Sequence, residues 1–153
     1  MPKRYGQRCP VAKSLEVLGE RWTLLVVRDL LAGPRRFQDL LASLEGIAPN
    51  VLSERLKVLE EHAIVSRRFY SEHPPRAEYA LTPRGRELGI VVGALAVWGS
   101  KHVHREAALA HDDCDGALEL KYYCPKCDAR VSGRAVHLRA ATARKRTRHR
   151  ATR

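Results

Sequence analysis

Long apolar runs are missing from this 153-residue chain: the longest, 88–99, spans 12 residues, well short of the roughly 20 that a membrane-crossing helix needs. No membrane span is expected. A secretory leader is missing too, because the basic start 1–8 leads into an apolar stretch that Lys13, Ser14 and Glu16 interrupt. The expected location is therefore the cytoplasm. Cysteine is scarce, with four residues (Cys9, Cys114, Cys124, Cys127), and in a reducing compartment these point to metal or redox chemistry more than to structural disulfides. Acidic residues are absent from 139–153, which holds seven of the 28 Lys and Arg, so the net charge of +11 falls to +4 without that stretch. A mildly basic body with a strongly basic tail argues for a polyanionic partner, nucleic acid first, although such a tail could also serve solubility or localisation.

Apolar residues make up 44% of the chain, enough to bury the core of one compact domain with an appendage. A first helix is expected over 11–18, opened by Cys9-Pro10 and stopped by Gly19, and a second over 21–32, ended by Gly33-Pro34. Trp22, Leu25, Val26, Leu30 and Leu31 surround much of the second helix, so it should be the most buried. Nothing in either suggests catalysis. Arg35-Arg36-Phe37 reads as a very short strand, and a third helix over 38–44 turns Leu40, Leu41 and Leu44 inward.

After a break at Glu45-Gly46-Ile47, the stretch 48–62 reads as a helix with two faces. At 100° per residue, Leu52, Leu56 and Leu59 form an inward stripe, while Asn50, Glu54, Lys57 and Glu61 lie opposite. An ordinary amphipathic helix with a solvated face would look the same. Two helices joined by a short Gly-containing turn, the second exposing Asn50, Ser53, Glu54 and Lys57 in its first turns, also match a helix-turn-helix. Asn suits an adenine edge, Ser reads either strand, and Lys reaches guanine or phosphate. Arg55 projects to the side and is the weaker candidate.

Two β-rich segments, 64–70 and 77–81, flank a Pro-rich connector, 71–76, expected to be a loop. That is a hairpin with a wing, and His73 and Arg76 at its tip, with Arg67 and Arg68 leading to it, are placed for phosphates or a minor groove. Thr82 and Pro83 then cap a long helix expected to end near His102. Its Leu88, Val91, Val92, Leu95, Val97 and Trp98 exceed what a small winged domain can cover, and Gly89, Gly93, Ala94 and Ala96 would admit a second helix, as in a dimer seam.

Cys9-Pro-Val-Ala, Arg21-Trp-Thr-Leu-Leu, Arg28-Asp-Leu-Leu, Arg36-Phe-Gln-Asp-Leu, Ile47-Ala-Pro-Asn-Val-Leu-Ser-Glu-Arg-Leu, Leu59-Glu and Tyr79-Ala-Leu-Thr-Pro-Arg-Gly together resemble the HxlR family of bacterial and archaeal transcriptional regulators. The match runs from about Cys9 to His102. The resemblance implies a homodimeric winged helix-turn-helix protein with its first and last helices in the dimer interface, and no enzymatic activity. Two positions depart from the family pattern. Ala48 stands where relatives often have Ser, which removes an N-cap oxygen worth about 1 kcal/mol. Glu54 stands where relatives often carry Arg, and a carboxylate there prefers a cytosine amino group to phosphate.

Some members of the family use a cysteine matching Cys9 as a thiol sensor, and a helix N-terminus beside Arg8 and Lys13 favours thiolate. The alternative is a small half-buried cysteine that packs the first helix. Farther on, His111-Asp-Asp-Cys114 and Cys124-Pro-Lys-Cys127, nine residues apart, have ribbon-like ligand spacing for Zn²⁺, against a small hairpin with incidental thiols. A thioredoxin-type oxidoreductase would need a βαβ unit for which there is no room.

The expected architecture is mainly α with a small β-hairpin (α+β), a winged helix-turn-helix with a small Cys-containing C-terminal extension. The expected domains are 9–105 for DNA binding and dimerisation, 106–138 as the extension, and 139–153 as a basic, disordered tail. The expected function is sequence-specific binding of double-stranded DNA by a homodimer, with phosphate anchoring from Arg35, Arg36, Arg67, Arg68 and Arg76. The rival is a zinc-ribbon module that binds nucleic acid or protein and uses the winged domain only to dimerise.

Overall fold

The computed structural model describes residues 5–72, 75–106 and 109–138, so the expected wing-tip His73 and basic tail lie outside the described residues. Helix α1 (Pro10–Leu18) begins with Pro10 at its first position and ends on Gly19. Helix α2 (Thr23–Leu31) starts later than the apolar pattern implies, because Trp22 takes a left-handed backbone at φ +79. The helix buries Thr23, Val26, Val27 and Leu30, whereas Leu25 is exposed and Trp22 only half-buried, with the Arg21 guanidinium 5.0 Å above its ring. The expected inward set for α2 is thus corrected, although no other helix buries as many residues.

Strand β1 (Arg35–Arg36) precedes α3 (Phe37–Ser43), and the turn after it needs Gly46 at φ +87. Helix α4 (Pro49–Glu61) buries Leu52, Leu56 and Leu59 against Val26, Val27, Leu30, Leu40 and Leu44. Each such leucine contributes about 2 kcal/mol through lost water contact. Ala48 caps α4 without a side-chain hydrogen bond. At the other end Ala63 turns left-handed (φ +53), with Ile64 N–H donating to Leu59 O and Ala63 N–H to Glu60 O, the double bond of a Schellman stop that usually has glycine there.

The wing consists of β2 (Val65–Glu72) and β3 (Pro75–Leu81), with β1 on the far side of β3. Of the connector 71–76, expected as a loop, the described residues Ser71, Glu72, Pro75 and Arg76 are strand. A bulge between Phe69 and Ser71 resets the register so that Ser71 faces Arg76 and Glu72 faces Pro75. Pro75 is tolerated because it opens its strand, where its missing N–H costs no ladder bond.

The single long helix expected after Thr82 is two helices, α5 (Pro83–Arg86) and α6 (Gly89–His102). Thr82 accepts from Gly85 N–H at 3.0 Å and donates to Ala63 O at 2.7 Å, tying the start of α5 to the end of α4. Leu88 N–H then bonds Gly85 O, a tighter i to i−3 turn that separates the two helices. Among the described residues no helix is long and apolar enough to cross a membrane.

The extension holds a bridge between Ala110 and Ala117, a hairpin of β4 (Tyr122–Cys124) and β5 (Ala129–Val131), and a 3₁₀ turn at Gly133–Ala135. It returns to the body: a Cβ on Gly93 of α6 would meet Leu109 at 3.2 Å and Leu120 at 4.0 Å. Gly93 and Gly89, expected to admit a second helix, instead admit Leu109 and Leu31 of the same chain.

Candidate nucleic-acid interface

Because Leu52, Leu56 and Leu59 fix α4 from behind, Asn50, Ser53, Glu54 and Lys57 emerge on its exposed side at spacings of three and four. Pro49 opens the helix, so Asn50 stands in its first turn, free of the core. Lys57 lies 3.9 Å from Glu61, one turn on, in an exposed pair that leaves its ammonium available.

Arg55 does not belong with these four. Its side chain is only 11% exposed and reaches Glu54 at 3.1 Å and Glu20 at 3.7 Å, so it clamps α4 to the segment before α2 and does not face outward. Its Nε is buried without a hydrogen-bond partner. The spacing already carried this signal, since Arg55 lies three residues from Leu52 and four from Leu59, on the edge of the inward stripe. The same contact partly neutralises Glu54. What sequence reasoning missed is Glu20, which no motif marks and only the fold brings to Arg55.

Strand pairing sets the basic residues in rows. Arg36 and Arg68 both register opposite Glu78, and Arg35 and Arg67 both register opposite Tyr79, because β1 and β2 flank the same strand. Arg67 lies 4.6 Å from the Phe69 ring centroid and 5.9 Å from that of Tyr79, a stacked guanidinium with less reach than Arg68 or Arg76. Burial pushes the Tyr79 hydroxyl above its ordinary pKa, Arg67 opposing and Glu60 reinforcing the shift. Tyr79 is therefore a neutral anchor of the sheet.

Cys9 is half-buried at the N-cap of α1. The four expected zinc ligands are not assembled: His111 with Cys114 and Cys124 with Cys127 form two separate turns, each closed by its own strand pairing. Among the described residues, no three His, Cys, Asp or Glu side chains gather where one metal could sit. The Cys124 thiol is held below its ordinary pKa, first by the Cys127 amide and then by the Cys127 side chain and the Lys126 amide, with desolvation opposing.

The family model for HxlR-like helix-turn-helix proteins matches residues 17–107. An HTH-type transcriptional regulator of Synechocystis is 41% identical over 102 residues, covering 67% of this chain and 76% of its own. A solved transcription factor from Pseudomonas aeruginosa is 32% identical and covers 88% of this chain and 94% of its own, with a TM-score of 0.65. The redox regulator HypR, in its oxidised form, is 33% identical and covers 61% of this chain and 97% of its own, with a TM-score of 0.58. These relatives regulate transcription and are not enzymes. With its helix-turn-helix, paired wing and family match in register, the chain belongs to the HxlR family of winged helix-turn-helix transcriptional regulators.

Proposed function

We propose that the protein acts in the cytoplasm as a homodimer that reads operator DNA, each α4 entering a major groove. The observation that carries this is the exposed set Asn50, Ser53, Glu54 and Lys57 on a helix whose opposite side is fully buried. Arg35, Arg36, Arg68 and Arg76 anchor phosphates beside it, with Arg67 contributing charge from its stacked position. Residues 9–105 form the binding and dimerising unit, 106–138 the extension, and 139–153 adds affinity without sequence preference. A randomised operator library tests the reading face. Asn50→Ala or Lys57→Ala should reduce discrimination by roughly 1–3 kcal/mol at the contacted base pair, while Arg76→Ala weakens all sequences alike. Unchanged base preference in Asn50→Ala would remove α4's exposed face from the readout.

Dimerisation is supported by apolar side chains that the monomer leaves uncovered: Leu95 and Trp98 of α6 are 52% and 59% exposed, and Val11 and Leu15 of α1 are exposed as well. Cys9 supports a further reading as a thiol switch. It caps α1 two residues before Val11, so an adduct there would alter the seam, and the similar HypR is a redox regulator. A thiol oxidant should release the protein from operator DNA, and Cys9→Ser should remain bound. Release that persists in Cys9→Ser and vanishes when Cys114, Cys124 and Cys127 are all serine would assign the response to the extension instead.

A further inference from the structure

The extension contains one local structure twice. In the first turn, Cys114 N–H bonds the His111 carbonyl at 3.3 Å, Asp115 follows at φ +52, and Ala110 pairs with Ala117 across the base. In the second, Cys127 N–H bonds the Cys124 carbonyl at 3.2 Å, Asp128 follows at φ +48, and Cys124 itself pairs with Ala129. Two donor residues three apart, followed by a left-handed residue that swings the chain away, recur with the same hydrogen bond. Core packing does not call for this, since His111, Cys114 and Cys127 are exposed and Cys124 is only half-buried.

The first turn already sets its donor atoms side by side. His111 Nδ1 lies 3.3 Å from Cys114 Sγ, and Cys124 and Cys127 stand at the two ends of one hydrogen-bonded turn. With Zn–S near 2.3 Å and Zn–N near 2.0 Å, neighbouring donors of a tetrahedral zinc site stand roughly 3.5 Å apart, so the His111–Cys114 pair already has the length of one edge of such a tetrahedron. His111 Nε2 faces the Asp113 carboxylate at 3.6 Å. A carboxylate on the side of the ring away from Nδ1 is the kind of outer group that orients a metal-bound imidazole.

We propose that the two turns are half-sites of a single Zn²⁺ site, with His111 Nδ1 and the sulfurs of Cys114, Cys124 and Cys127 as its four ligands. Three thiolates and an imidazole form a donor set that suits Zn²⁺, and binding releases the thiol protons to solvent. The half-sites stand apart, and metal closes them through the nine residues 115–123. Leu109 and Leu120 hold this region against α6 at Gly93, so loading would order the extension on the helix that carries Leu95 and Trp98. The site does not depend on how α4 reads DNA.

The full chain, reduced and stripped with a chelator, is titrated with Co²⁺ and then Zn²⁺. One ion per chain is expected, with a tetrahedral Co²⁺ spectrum whose sulfur charge-transfer band has three-thiolate intensity. Cys114→Ser should lower that band by about a third, and His111→Ala should weaken binding tenfold or more. Thermal unfolding of the winged domain should be the same in both variants, which separates loss of a ligand from loss of fold. A two-thiolate band in the wild type, or binding indifferent to His111→Ala and Cys114→Ser, would reduce the site to the Cys124–Cys127 pair and overturn the proposal. Failure to bind either ion would overturn it as well.

Discussion

Leu95→Glu should give a folded monomer whose affinity for an operator with two half-sites is lower by roughly a hundredfold or more. Leu95 is half-exposed on α6, so a carboxylate there meets water in the monomer and costs little folding stability. In a twofold interface the substitution appears on both subunits, where it buries two unpaired charges in an apolar seam. Binding to one half-site by each subunit then no longer raises the local concentration of the other. Sedimentation velocity gives the oligomeric state, and fluorescence anisotropy on operator and half-site duplexes gives the affinities. A variant that stays dimeric would move the interface away from the Leu95 and Trp98 face. Unchanged operator affinity in a demonstrated monomer would instead show that one subunit suffices.

Gly85→Ala should destabilise the domain by about 3 kcal/mol, at the upper end of what overpacking costs. A Cβ at this position would stand 2.1 Å from the Ile64 carbonyl oxygen and 3.1 Å from Leu81 Cδ2. The Ile64 carbonyl cannot swing away, because it accepts from Thr82 N–H at 3.0 Å, and the neighbouring Ala63 carbonyl is held by the Thr82 hydroxyl. This junction joins the end of α4 to the root of the wing, so the clash should also disturb the angle between the two elements proposed to face DNA. Gly89→Ala is the control: its Cβ would meet only Leu31 at an ordinary 3.4 Å, and a helical alanine gains up to about 1 kcal/mol over glycine. Chemical denaturation of both variants measures the difference, and equal stabilities would show that the junction has slack.

Much of the fold was legible because its signals are local. Pro10, Pro49 and Pro83 open helices, Gly19 and Gly46 mark a stop and a turn, and the spacing of Leu52, Leu56 and Leu59 alone determines which side of α4 is buried. From that stripe the exposed set Asn50, Ser53, Glu54 and Lys57 follows by geometry. Helix periodicity dictates these features whatever the rest of the chain does.

The remainder depended on atoms brought together from distant positions. Trp22 breaks the apparent start of α2 through its own backbone, which no apolar pattern records. Arg55 leaves the reading set because the fold delivers Glu20 to it, and a buried guanidinium goes to its carboxylates rather than to solvent. Ser71, Glu72, Pro75 and Arg76 of the expected loop pair as strand beyond a bulge that shifts the register by one residue, and Gly93 serves the extension because Leu109 and Leu120 land on it. The sequence by itself determined which side of α4 is buried and which is free. Tertiary structure alone decided which charges on that helix stay unpaired with distant residues, because an ion pair forms by distance in space and carries no periodicity in the chain.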